Sequence, residues 1–193
     1  MTVDQKRGGV AVAAGVYDHA GWAVVVCVDG TEVIDRRRIE LVEPGVPSLP
    51  YHHPAQKLPL EKAIALVERV QASAERCVKA ALDGFPQGVS AIALRKRPKL
   101  PPTIAERIQS YYAQTRADTV MFREVIIESA EARGWTVTDY EAKSVIDLAA
   151  SIPGLEDIEE RLKAVGKTLG PPWTKDHRVA AAAAFLAASA MRD

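Results

Sequence analysis

Residues 10–42 read VAVAAGVYDHAGWAVVVCVDGTEVIDRRRIELV, and this stretch decides the fold. Runs rich in Val and Ile extend over Val10 to Val16, Gly21 to Val28 and Thr31 to Val42, which is typical of β-strands. Asp29-Gly30 separates the last two runs and favours a tight hairpin turn, because glycine readily adopts a positive φ. The stretch therefore predicts three antiparallel strands, with Tyr17-Asp18-His19 on the first turn.

The rest of the chain alternates between helical and strand patterns. In chain order, we expect a proline-rich loop at 43–59, a helix from Pro59 to Gly84, a strand from Val89 to Leu94, helices at 103–114 and 118–133, a strand at 135–140, helices at 141–150 and 155–165, and an alanine-rich helix from Thr174 to Met191. An antiparallel start followed by crossovers predicts a mixed five-stranded sheet with flanking helices. We expect one α/β domain over residues 1–193, with the terminal helix packed on the sheet.

The composition is that of an ordinary globular protein. The 193 residues include 25 basic and 25 acidic side chains, so the formal net charge is zero. A neutral chain is not expected to attract nucleic acid over its whole surface, although a local basic patch can still bind phosphate. Cys27 and Cys77 lie far apart in apolar runs, which favours reduced core thiols over a disulfide framework. The sequence shows neither a secretory signal pattern nor a membrane span, so we expect a cytoplasmic location.

Three short segments resemble the RuvC branch of the ribonuclease H-like superfamily. Gly21-Trp22-Ala23-Val24 resembles the start of the second strand of that family, and Arg38-Ile-Glu-Leu41 stands where its third strand would be. The family's terminal helix begins with Asp residues and continues in alanine, as Asp176-His177-Arg-Val-Ala-Ala does here. The resemblance implies a ribonuclease H-like fold and metal-dependent cleavage of nucleic acid.

The chain departs from that family at its catalytic positions. When the sequences are aligned on Gly21-Trp22, the family's first catalytic Asp falls on Ala14. The fourth strand, where the family has a Glu, reads Ile92-Ala-Leu94-Arg95. Two-metal phosphoryl chemistry requires several carboxylates around the cations. Either Asp18 has taken the role of the missing acid, or the ancestral nuclease site is absent.

Two Asp-His pairs are the candidate catalytic and metal-binding residues. Asp18-His19 follows the first strand and Asp176-His177 begins the last helix, and the fold would bring both pairs toward one edge of the sheet. In this hypothesis all four residues bind a divalent metal, Mg²⁺ or Mn²⁺, and His177 can instead act as a general base. The alternative is that Asp18 serves a turn and Asp176 stabilises a helix start.

A basic run after the fourth strand is the candidate nucleic-acid contact. Arg95-Lys96-Arg97-Pro98-Lys99 would meet phosphate at the same edge, whereas the alternative is a solvated connection. His52-His53 in the proline-rich loop could fold over the site, although adjacent exposed histidines often have no such role.

Two functions from different classes follow. The first is a metal-dependent phosphodiesterase that acts on structured or single-stranded nucleic acid. The second is a catalytically inactive ribonuclease H-like module that binds a partner or supports an assembly. The paired Asp-His motifs favour the enzyme, and Ala14 and Leu94 favour the inactive module. The sequence leaves the oligomeric state open, and a protein partner is compatible with either function.

Overall fold

The computed structural model describes residues 12–191 and contains a five-stranded mixed sheet. The strands are β1 (Val12–Asp18), β2 (Trp22–Asp29), β3 (Glu32–Glu40), β4 (Val89–Arg95) and β5 (Thr136–Tyr140). Their order across the sheet is β3-β2-β1-β4-β5. β1, β2 and β3 are antiparallel, whereas β4 is parallel to β1 and β5 is parallel to β4. The predicted mixed sheet and antiparallel start are confirmed.

The helices follow the predicted order, and several of them differ in extent from the prediction. They are α1 (Leu60–Asp83), α2 (Ile104–Gln109), α3 (Tyr111–Gln114), α4 (Ala117–Glu131), α5 (Val145–Ala150), α6 (Ile158–Leu169) and α7 (Lys175–Ala190). The single helix expected at 103–114 is divided at Ser110, whose backbone is extended and whose hydroxyl caps α3. The helix expected at 155–165 begins later and continues to Leu169.

Helices cover both faces of the sheet, and the alternation of β1 assigns its side chains to them. Ala14 and Val16 belong to the hydrophobic cluster shared with α1 and α4. Ala13 and Tyr17 pack instead in the cluster shared with α5, α6 and α7. Successive strand residues point to opposite faces, so odd positions of β1 face α7 and even positions face α4.

Both predicted turns differ in register. Asp18 is the last residue of β1 and pairs with Ala23, so the prediction that it lies on the turn is wrong. The chain reverses after it, with the His19 N–H donating to the Trp22 carbonyl at 2.8 Å. In the second hairpin Asp29 pairs with Glu32, so Gly30 and Thr31 are the central residues. Only Gly30 of the two has a positive φ, at 60°.

The terminal helix packs on the sheet through its alanines, as predicted. Ala180 to Ala184 are all fully buried, and α7 contacts β1, β2 and β4. Gly15 makes this approach feasible, because a Cβ at that position would lie 1.9 Å from the Ala180 carbonyl oxygen. The missing side chains of one glycine and several alanines therefore set the distance between α7 and the sheet.

The proline-rich loop is fastened to the α1 and α4 side of the molecule. The carboxylate of Asp118 in the first turn of α4 accepts the backbone N–H groups of Tyr51, at 2.8 Å, and His52, at 3.2 Å. Glu43 at the start of the loop pairs with Arg76 of α1. His52 and His53 are exposed and contact each other edge to face. These bonds hold the loop against α1 and α4, whereas Asp176 lies in α7 on the other face.

Cys27 is buried and Cys77 half-buried, and both are free thiols. Among residues 12–191, no helix combines the length and the apolar character needed to cross a membrane.

Gly15→Ala should destabilise the protein, because the added methyl group collides with the backbone of α7. Overpacking of a core of this kind costs about 1–3 kcal/mol. Gly84→Ala is the control, since Gly84 has a negative φ and a Cβ there would have no neighbour nearer than 3.4 Å. Urea unfolding measures the free energy of unfolding of both variants. Equal stability of the two variants would contradict the close packing of α7 on β1.

Asp118→Asn should reduce the dependence of stability on pH. Burial raises the pKa of Asp118 to about 6, even though the Tyr51 and His52 N–H groups favour the charged form. The pKa in the unfolded chain is about 3.9, so the folded state binds more protons between pH 4 and 6. The stability from this group is present below pH 4 and is lost as the pH rises through 6.

The free energy of unfolding, measured with urea between pH 4 and 7, tests this expectation. The difference in the free energy of unfolding between wild type and Asp118→Asn should fall by about 2–3 kcal/mol as the pH rises from 4 to 7. Asp139→Asn, at an exposed position of β5, is the control and should follow the wild-type curve. Parallel curves for wild type and Asp118→Asn would refute the assignment to Asp118.

Candidate functional site

Asp18 lies at the carboxyl end of β1 and is completely buried between two arginines. Arg95, the last residue of β4, donates to both carboxylate oxygens at 3.1 and 3.0 Å and to the Asp18 carbonyl. Arg123 of α4 donates to the same two oxygens at 3.1 and 2.8 Å. Its third nitrogen binds the Lys96 carbonyl, at 3.1 Å. One carboxylate thus joins β1, β4 and α4.

This arrangement keeps Asp18 ionised. Burial alone would raise its pKa, but the hydrogen bonds and positive charges of Arg95 and Arg123 hold the pKa below the usual value of 3.8. Both oxygens accept from guanidinium groups, and the residue has no exposed surface. Two positive charges surround one negative charge, so the cluster has a net charge of about +1. Asp18 already has its cationic partners within the protein.

His19 and Asp176 come together on the other side of this edge. His19 Nε2 lies 2.9 Å from Asp176 Oδ2, although the residues are 157 positions apart in sequence. Both side chains are partly exposed, at 34% and 26%. The expectation that the two Asp-His segments approach one edge of the sheet therefore holds for this pair.

A continuous stack of aromatic and guanidinium groups surrounds His19. The ring of Trp22 lies parallel to that of His19 with centroids 4.0 Å apart, and Arg38 covers the other face of Trp22 at 4.0 Å. Tyr17 lies 5.3 Å from His19 at a tilt, and Arg95 covers Tyr17 at 4.5 Å. Each cation-to-ring contact of this kind contributes about 0.5–2 kcal/mol. The stack extends from β3 to β4 and fixes the orientation of His19.

His177 is held in the first turn of α7. Its Nδ1 accepts the Thr174 backbone N–H at 3.2 Å and lies 2.9 Å from the Thr174 hydroxyl. Burial lowers the pKa of His177, and the nearby charge of Arg36 lowers it further. The imidazole is therefore neutral at pH 7. Because Nδ1 accepts the backbone N–H, the proton of the neutral ring is on Nε2.

The four residues assigned to a metal do not fit a cation site in this arrangement. Asp18 is enclosed by guanidinium groups, and Nδ1 of His177 is used by the helix cap. Over residues 12–191, no three His, Cys, Asp or Glu side chains are grouped so that they could hold a metal ion. The Mg²⁺ or Mn²⁺ assignment to Asp18, His19, Asp176 and His177 is thus unsupported by their geometry, and we derive no step through a metal.

Ala14 and Leu94, the positions aligned with the family's missing acids, lie on one particular face of the sheet. Ala14 and Leu94 both pack in the cluster with α1 and α4, away from the start of α7. The residues of β1 and β4 in the cluster with α7 include Tyr17 and Ala93, and neither can bind a cation as a carboxylate does. The alignment on Gly21-Trp22 therefore placed the two missing acids on the face that packs against α1 and α4, opposite to the face that packs against α7.

The basic run divides into one internal residue and three exposed ones. Arg95 is committed to Asp18 and Tyr17, so its role is structural where phosphate binding was expected. Lys96, Arg97 and Lys99 are exposed directly after β4. Since β1, β4 and β5 are parallel in this part of the sheet, their carboxyl ends share the edge that carries His19. Phosphate could reach these three residues.

Arg123 is the principal residue that sequence reasoning missed. It lies three residues after Val120 and three before Ile126, on the apolar face of the helix expected at 118–133. A charged residue on an apolar helix face indicates a buried ionic partner. The pattern could have revealed Arg123, but not that its partner is Asp18, 105 positions away.

Comparison with known proteins supports the fold. No family model matches the sequence, and no curated protein matches it. Among solved structures, Thermus thermophilus RuvC in complex with a Holliday junction substrate is similar over 94% of this chain and 95% of that chain, with a TM-score of 0.52 and 14% identity. A second Thermus thermophilus RuvC structure has a TM-score of 0.51 and 15% identity over the same shares. The chain therefore has the fold of these RuvC structures, as the resemblance predicted.

Asp18→Asn should strongly destabilise the protein, because two buried guanidinium groups lose their counter-charge. Removal of one partner from a buried ion pair costs about 3–5 kcal/mol. Asp176→Asn is the matched control at the same edge, and its loss should be smaller because Asp176 is partly exposed. Urea unfolding at pH 7 gives both values. A loss below about 1 kcal/mol for Asp18→Asn would show that the carboxylate is not needed for folding.

Proposed function

We propose that this chain is a nucleic-acid-binding module of ribonuclease H-like fold that does not cleave its ligand through a metal at Asp18. The observation that carries the proposal is the engagement of both Asp18 oxygens by Arg95 and Arg123. Binding a cation there would require breaking charged hydrogen bonds in a site without solvent access. The inactive module is therefore favoured over the metal-dependent phosphodiesterase.

Nucleic acid is the proposed ligand for two reasons. A protein of similar fold is seen in complex with a Holliday junction substrate, which makes a branched DNA a reasonable first probe. Lys96, Arg97 and Lys99 offer three exposed positive charges beside the edge where β1 and β4 end. The chain has no net charge, so we expect moderate affinity that arises from this patch rather than from the whole surface.

A metal-dependent phosphodiesterase is the second candidate, and one observation favours it. Asp176 and His19 remain partly exposed at the sheet edge and contact each other. In that case Asp176 and His19, instead of Asp18, would meet the cation. Cleavage assays separate the two candidates.

Fluorescence anisotropy measures the affinity of the protein for a four-way DNA junction, a duplex and a single strand, each at 50 and 200 mM salt. We expect affinity to fall as salt rises, because phosphate contacts release counterions. The triple change Lys96→Ala, Arg97→Ala and Lys99→Ala should weaken binding and reduce the slope of log K against log salt by about 2–3. Lys62→Ala, Arg69→Ala and Lys79→Ala remove equal charge from the exposed side of α1 and should leave both quantities unchanged.

The same substrates should remain intact with Mg²⁺ or Mn²⁺. Failure to bind any DNA or the corresponding RNA would refute the proposed function. Metal-dependent cleavage that is lost in Asp176→Asn would also refute it and establish the second candidate. Equal weakening by the two triple changes would show that residues 96–99 are not the contact surface.

A further inference from the structure

A groove of about 460 Å³ lies between the exposed part of the sheet and the start of α7. Trp22 and Val24 of β2 form one wall, while Pro172 belongs to the segment before α7. Arg36 closes the groove by donating to the carbonyls of residues 169–172. The volume falls within the 300–1,000 Å³ typical of small-ligand sites. The contacts of Arg36 thus hold the segment before α7 against β3.

The polar groups of the groove have a defined pattern of donors and acceptors. Asp176 lines it and spends one contact on His19, so its carboxylate retains acceptor sites for a ligand. His177 also lines it and is a neutral ring with its proton on Nε2, because Nδ1 accepts the Thr174 N–H. The groove therefore combines a carboxylate acceptor and an imidazole donor with the apolar groups of Trp22, Val24 and Pro172. Arg36, Arg37 and Arg38 also line it.

We propose that this groove binds one unpaired nucleobase of the nucleic acid, with guanine preferred. Guanine presents the N1–H and N2–H donors beside the O6 acceptor, which complements the Asp176 carboxylate and the His177 Nε2–H. Adenine has an acceptor at N1. It would face the Asp176 carboxylate, which is also an acceptor, so no hydrogen bond can form there. Hydrogen bonds to the base edge, together with contacts to apolar side chains, are means by which proteins hold an extruded base.

The position of the groove agrees with the path of a strand. Asp176 is hydrogen-bonded to His19 at the edge where Lys96, Arg97 and Lys99 would contact phosphate. The faces of the Trp22 ring are already covered by His19 and Arg38, so the base would meet the edge of the indole. Selectivity then comes from hydrogen bonds rather than from ring stacking, which distinguishes this site from a general single-strand platform.

This inference rests on the proposed function, and its test separates the two. Oligothymidine strands with one central guanine, inosine or adenine are titrated by anisotropy, because inosine differs from guanine only in lacking the N2 amino group. We expect the guanine strand to bind at least about tenfold more tightly than the others, as for a good bidentate base contact. Asp176→Asn should abolish the preference, whereas Asp147→Asn, at an exposed position of α5, should retain it.

Val24→Leu enlarges a side chain of the groove wall without changing its hydrogen-bonding groups, and should weaken binding of the guanine strand. Circular dichroism melting verifies that each variant is folded. Equal binding of the three strands by wild type would overturn the guanine site and leave the proposed function intact. If none of the three strands binds, the junction and duplex titrations described above decide on the proposed function. Guanosine monophosphate is then added to the protein while tryptophan fluorescence is recorded. A fluorescence change that is lost in Asp176→Asn supports the groove as a guanine site, and no fluorescence change refutes it.

Discussion

The buried contact between Asp18, Arg95 and Arg123 determines both the architecture and the chemistry of this edge. It joins the end of β1 to the end of β4 and to the middle of α4, elements that are distant in sequence. A buried carboxylate is costly unless it is paired and fully hydrogen-bonded, and two guanidinium groups meet that requirement here. The arrangement fixes where the parallel strands end, and therefore where His19 and the residues after Arg95 lie.

The same contact limits what the edge can do. A carboxylate that holds catalytic cations must offer free oxygens and be grouped with other ligands. Asp18 offers neither, since guanidinium groups already supply its positive charge. On the α7 side, Tyr17 and Arg95 join the stack that contains His19 and Trp22. The oxygens of Asp18 are thus occupied by contacts within the protein.

The sequence predicted the fold well because the fold depends on local patterns. The Val-rich runs, the glycine of the second hairpin and the alanines of α7 each specify a strand, a turn or a close packing surface. The site was harder to predict because it depends on which face a side chain occupies. Since side chains alternate along a strand, placing Asp18 on a turn and aligning Ala14 with a catalytic acid assigned residues to the wrong environment. Arg123 carried a visible signal, but its pairing requires the tertiary structure.

Carboxyl ¹³C NMR of aspartate-labelled protein with increasing Mn²⁺ measures most directly whether Asp18 is withheld from cations. The Asp18 resonance is assigned by comparison with Asp18→Asn. Both spectra are recorded without denaturant, at a temperature where that variant is folded. It should have the shift of an ionised carboxylate at pH 5 and stay sharp at Mn²⁺ concentrations that broaden exposed carboxylates. Selective broadening of Asp18 together with Asp176 at about one equivalent of Mn²⁺ would contradict the structure and restore the metal-dependent nuclease.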